Sequence, residues 1–132
     1  MSTAHTARPD GGQVEKAITF LYYKDLPKAF AFYTEVMGFP LEIDQGWSKI
    51  LRIAENAYVG LVDETRGMHR AHPVKPVQLC IRVPAVDRWH AYLAGHQASG
   101  LTDPRDSMSL GIRAFVLEDP EGYQIEVQSL LL

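Results

Sequence analysis

The sequence predicts an α+β fold: two βαβββ modules forming a curved mixed sheet around a central cleft. Three observations predict it. The chain repeats its own pattern, because a displacement of 60 residues lays 18–33 over 78–93 without a gap, each segment opening as an alternating strand and then turning helical. Three strand-like runs follow each helical segment, at about 40–44, 47–54 and 57–63 and again at about 101–104, 111–118 and 123–130. The 132 residues, 46% hydrophobic and 22% charged, suit a single soluble domain with a core of its own.

The elements follow in order. Residues 1–13 are small, polar and glycine-containing and read as a flexible arm; the domain spans 14–132, with module 1 at about 14–66 and module 2 at about 74–132. In the first strand, Ile18-Thr19-Phe20-Leu21-Tyr22-Tyr23, successive side chains face opposite sides of the sheet. The helix after it starts where Asp25 can accept a hydrogen bond from a free first-turn amide, tolerates Pro27 there, and stops at Gly38. Leu26, Phe30, Tyr33 and Met37 form its apolar stripe. Module 2 repeats the design, with the strand Gln78-Leu79-Cys80-Ile81-Arg82-Val83 and a helix whose stripe is Val86, Trp89 and Leu93 and which ends before Gly100. The turn Asp119-Pro120-Glu121-Gly122 then feeds a last strand with Ile125 and Val127 on one face and Gln124, Glu126 and Gln128 on the other. Each helix covers one face of its strands, leaving the opposite face to line a cleft where the modules meet.

Composition excludes several classes. The single Cys80 cannot form an intrachain disulfide, and residues 1–13 lack the apolar run of a signal peptide, so a cytoplasmic setting is expected. No apolar stretch approaches the roughly 20 residues that cross a bilayer, and a net charge of -3 without a basic block does not track phosphates. Neither a membrane nor a nucleic acid is an expected partner.

The opening Lys24-Asp25-Leu26, Phe32-Tyr33 and Gly38-Phe39, with the closing Gly111-Ile112-Arg113-Ala114-Phe115 and Asp119-Pro120-Glu121-Gly122-Tyr123-Gln124-Ile125-Glu126, resemble the vicinal oxygen chelate superfamily. That group includes glyoxalase I, extradiol dioxygenases and bleomycin-type resistance proteins. The resemblance spans roughly residues 17–130 and implies a homodimer whose clefts are completed by the partner chain. Metal-dependent relatives hold a cation by one residue from each of four strands, and the matching positions here are Ile18, Gly60, Gln78 and Glu126. Isoleucine has no lone pair and glycine no side chain, so neither a metal nor another cofactor is expected. His69 and His72 sit in the connection between modules and read as solvated side chains.

If Gln78 and Glu126 face the cleft, alternation places Phe20, Tyr22, Cys80, Arg82, Gln124 and Gln128 there too, with Arg52, Tyr58 and Arg113 as further ligand-binding candidates. Trp47 would edge the opening, and Cys80 reads as a small buried apolar residue. Glu126 has two readings. Set among Ile18, Phe20 and Tyr22 it is a candidate general base, able to remove a proton next to a carbonyl; paired with Arg82 or Arg113 it is architecture. The leading expectation is a metal-free protein that binds a small organic molecule, partly aromatic or carbonyl-bearing. The alternative is a metal-independent lyase or isomerase using Glu126 as base, and a weaker one is a metal-dependent glyoxalase I-type lyase.

Overall fold

The computed structural model describes residues 7–131. A 3₁₀ turn at Pro9–Gly12 precedes β1 (Ala17–Tyr23), α1 (Leu26–Ala31), β2 (Leu41–Asp44), β3 (Ser48–Ala54) and β4 (Ala57–Asp63). Module 2 supplies β5 (Gln78–Arg82), α2 (Val86–Gly95), β6 (Arg105–Ser107), β7 (Ile112–Glu118) and β8 (Gln124–Leu130). The repeat is real in space: the two four-stranded sheets have orders β1-β4-β3-β2 and β5-β8-β7-β6. In each, the first strand runs parallel to the last and the other pairs are antiparallel. This is the expected α+β architecture of mixed sheets. The predicted arm lies partly outside the described residues, which begin at 7.

The alternation sorts the faces as read from the sequence. Leu21, Tyr23, Ile81, Ile125 and Val127 lie under the helices in one continuous core with Leu51, Leu61, Phe115 and Leu117. Burying each such side chain contributes about 1.5–3 kcal/mol. Asp25 caps α1, accepting from the Lys28 amide at 3.2 Å. Helix α1 does not stay regular, however: Phe32–Val36 winds as a π-turn before Gly38, at φ 76°, ends it. The Thr34 hydroxyl donates to the Phe30 carbonyl at 2.7 Å, one of the local contacts that loosens a regular helix. In α2 the left-handed residue after the helix is Gln97, at φ 54°, and Gly95 is simply the last helical residue.

Two expectations need correction. The strand expected at about 101–104 is Arg105–Ser107. Pro104 has no N–H for a ladder, and Thr102 replaces ladder bonds with a local bridge, its amide donating to the Val116 carbonyl and its hydroxyl accepting from the Val116 amide, both at 3.0 Å. The second correction concerns where the modules meet. Within one chain they are joined by their helix-side core and by the Asp119 turn. Among the described residues no hydrogen bond, ion pair or aromatic contact links the helix-free face of one sheet to that of the other.

The joint is built from the turn that the sequence marks. Buried Asp119 accepts from the hydroxyls of Tyr23 and Tyr33, the latter at 2.9 Å, and from the amides of Glu121 and Tyr123. Burial pushes both tyrosines well above the usual phenol value, helped by Tyr33 and Asp119 at Tyr23 and by the Asp119 carboxylate at Tyr33. The Glu121 carboxylate accepts from the amides of Lys24 and Asp25 at 2.9 and 2.8 Å, so module 2 helps seat the start of α1. The Tyr123 hydroxyl donates to the Tyr22 carbonyl and accepts from its amide.

Candidate functional site

The helix-free face of the first sheet carries Ile18, Phe20 and Tyr22 from β1. Strand register sets Ile18 beside Tyr58, Phe20 beside Gly60, Tyr22 beside Val62, and Arg52 beside Tyr58. The Phe20 ring crowds Gly60: a Cβ at that glycine would fall 2.4 Å from Cδ1 of the ring. Tyr22 meets the His69 ring edge-on, and Lys16 stands 4.9 Å from the centre of the Tyr58 ring, which is buried. Arg52 turns along its own strand, with long contacts to the carbonyls of Ala54 and Glu55. Trp47 is exposed, with the Arg66 guanidinium 5.9 Å from its ring centre. Ile18 and Phe20 remain exposed, an apolar surface left open by a single chain.

The corresponding face of the second sheet is polar. Parallel register places Gln78 opposite Gln124, Cys80 opposite Glu126 and Arg82 opposite Gln128. These pairs bond as they sit. The Gln78 amide donates to Gln124 Oε1, and the Arg82 guanidinium donates to Gln128 Oε1, at 2.9 Å from Nε. Gln128 in turn donates to Glu126 Oε2 at 2.7 Å, and the Cys80 thiol donates to the same oxygen at 3.4 Å. Cys80 is exposed rather than buried; partial desolvation, then the bond and charge of Glu126, raise its pKa, which keeps it a thiol at neutral pH. Glu126 itself is half-buried and lines a hollow of about 460 Å³ together with Leu110, Ile112, Ala114, Val116 and the exposed Arg105.

Three expectations change here. Arg113 is not beside the candidate site. It shares the helix face with Phe115 and Leu117, and its guanidinium is shared between Asp87 at 3.1 Å and Asp106 at 3.0 Å. Glu126 is in no ion pair among the described residues, since Gln128 stands between it and Arg82. Nor does a single chain set Glu126 among Ile18, Phe20 and Tyr22, because its hollow is lined by module 2 alone. Phe20, Tyr22, Arg52 and Tyr58 thus form one group, and Gln78, Cys80, Arg82, Gln124 and Glu126 another. Gln128, which alternation places on the Glu126 face, joins the second group; its bridge between Arg82 and Glu126 is what the sequence did not disclose.

The four positions that a cation would use are Ile18, Gly60, Gln78 and Glu126. Two have no donor atom, the Phe20 ring fills the space above Gly60, and the Gln78 amide is bonded to Gln124. Among the described residues no three His, Cys, Asp or Glu side chains come together. This donor set does not fit a metal ion.

Comparison with known proteins agrees with this geometry at the level of fold. A lactoylglutathione lyase from Agrobacterium tumefaciens superposes with a TM-score of 0.69 at 21% identity, over 85% of this chain and 90% of that one. TioX from Micromonospora sp. ML1 gives 0.72 at 19% identity, over 89% and 100% of the two chains. The fosfomycin resistance protein FosX from Listeria monocytogenes gives 0.70 at 15%, over 91% and 96%. The comparison with curated proteins returned no match. No helix of the described residues is long and apolar enough to cross a membrane. The family model described as Glyoxalase/Bleomycin resistance protein/Dioxygenase superfamily matches residues 5–127, and the chain belongs to that superfamily.

Proposed function

We propose that the protein binds a small amphipathic organic molecule without a metal, between the aromatic face of the first sheet and the polar face of the second. Two copies pair so that module 1 of one chain closes module 2 of the other, in a cytoplasmic setting. The observation that carries the reading is the Phe20 ring seated on Gly60, an apolar surface where a ligand-bearing strand would offer a donor. Exposed Ile18 and Phe20 favour pairing, since they form an open apolar surface on β1, whose outer edge is unpaired. Light scattering tests the pairing, and a monomer at micromolar concentration would remove it. A compound that raises the melting temperature and is recovered unchanged supports binding without chemistry. Stoichiometric nickel, zinc, iron or manganese in protein purified without chelator would overturn the metal-free reading.

A second reading, proton transfer with Glu126 as base, is favoured by one observation: that carboxylate has no cationic partner among the described residues. Turnover of a substrate that is lost in Glu126→Gln while binding is kept would establish it; turnover that survives the change would remove it.

A further inference from the structure

We infer that the site selects ligands carrying a hydrogen-bond donor, an ammonium above all, on an apolar ring, and rejects the matching anions; the inference rests on the small-molecule reading above. The two oxygens of Glu126 differ in their surroundings. Oε2 takes both recorded hydrogen bonds, from Gln128 at 2.7 Å and from Cys80 at 3.4 Å. Oε1 takes none among the described residues, and no side-chain oxygen there is both buried and unpartnered, so Oε1 is accessible from the hollow. A carboxylate only accepts, so whatever meets Oε1 must donate.

The charges nearby leave that preference standing. Arg82 is turned onto Gln128 Oε1, Arg113 lies on the opposite face with Asp87 and Asp106, and Arg105 is exposed at the wall, where water screens it. An anion in the hollow would face a half-desolvated carboxylate with no fixed cation between them. An ammonium would form a charge-assisted bond, roughly twice as strong as a neutral one. The apolar part of the ligand has Ile112, Ala114 and Val116 to cover it, and about 460 Å³ holds a fused aromatic ring. Gln128 acts as a positioning residue: its amide fixes Oε2, which turns Oε1 outward, and its carbonyl holds Arg82 off the carboxylate.

The test is a ligand-observed NMR titration with three probes of one shape: 1-naphthylmethylamine, 1-naphthoate and 1-methoxynaphthalene, which has no donor. The amine should bind at least about tenfold more tightly than the acid, a difference typical of one charge-assisted bond. Glu126→Gln should remove that preference, with the affinities of amine and acid each read relative to 1-methoxynaphthalene in the same variant. Gln128→Ala should lower the amine-to-ether ratio, which a general loosening of the fold would not do, and Gln128→Asn should restore part of it. Binding of the ether with equal affinity for amine and acid overturns this inference alone. Failure of all three probes to bind at millimolar concentration overturns the small-molecule reading with it.

Discussion

Replacing Gly60 with alanine adds one carbon at the point where the first sheet is closest to an aromatic ring. The new Cβ would stand 2.4 Å from Cδ1 and 2.5 Å from Cε1 of Phe20, against the roughly 3.5–4.0 Å that two carbons need. The ring must therefore move by more than about 1 Å. Gly60 does not have a left-handed φ, so the backbone accepts alanine and the whole cost is steric. Overpacking of this kind costs about 1–3 kcal/mol. Phe20 is 45% exposed and can swing toward solvent rather than displace a strand, which sets the expectation at about 1 kcal/mol, near the low end of that range. For a domain of this size that is a fall of roughly 3–5 °C in melting temperature. The assay is urea unfolding of the parent, Gly60→Ala, Phe20→Ala and the double variant, at one protein concentration because pairing of copies would add its own contribution. In the Phe20→Ala background the alanine at 60 should cost almost nothing, giving a coupling of about 1 kcal/mol. An undiminished cost in that background would mean that the ring does not occupy this space, and the metal-free reading would lose its main support.

Further expectations follow from the other arrangements. Above pH 10 the unfolded chain releases the Tyr23 and Tyr33 protons while the folded chain keeps them, because their folded values are raised. Stability should then fall by about 1.4 kcal/mol per pH unit for each phenol, and Tyr23→Phe should remove one share of the slope in urea midpoints measured from pH 9 to 11. At Cys80, Glu126→Gln removes the negative charge that helps raise the thiol and replaces a charged hydrogen-bond acceptor with a weaker neutral one. Alkylation by iodoacetamide at pH 8 should therefore be faster in that variant, and an unchanged rate would contradict the Cys80 to Glu126 contact. Arg113→Ala should leave the urea midpoint little changed, since its pairs are open to solvent, and should leave ligand titrations unchanged; altered affinity would place Arg113 in the site after all.

What the sequence could and could not disclose has a physical pattern. The faces of β1, β5 and β8 were legible because each has one apolar row and one mixed row, and burial allows only one orientation. Strand β7 was not, since Ala114 and Val116 are apolar on one side while Phe115 and Leu117 are apolar on the other; the larger pair took the core and carried Arg113 with it. The Asp119 turn was legible as a turn, but its clamp on Tyr23 and Tyr33 joins residues 96 and 86 positions apart, which no local pattern encodes. The π-turn in the first helix has no sequence signature at all.

The electrostatic character of the site was hidden for a related reason. Charge alone favours an ion pair between Arg82 and Glu126, yet the parallel register of β5 and β8 puts Cys80 opposite the carboxylate and Gln128 opposite the arginine. A shift of one residue pair along the ladder would bring Arg82 opposite Glu126 and keep every side chain on its present face. What forbids it lies on the other side of the sheet, where Leu79 pairs with Ile125 and Ile81 with Val127, and at the strand's start, where Asp119 and Tyr123 pin β8 to module 1. The same slip would pull buried Ile125 and Val127 out of a close-packed layer, at a cost of several kcal/mol by the measure of core truncations. An exposed ion pair returns about 1 kcal/mol or less. Core packing therefore wins, and the carboxylate is left without a cation as a consequence of how the far face of its own sheet is filled.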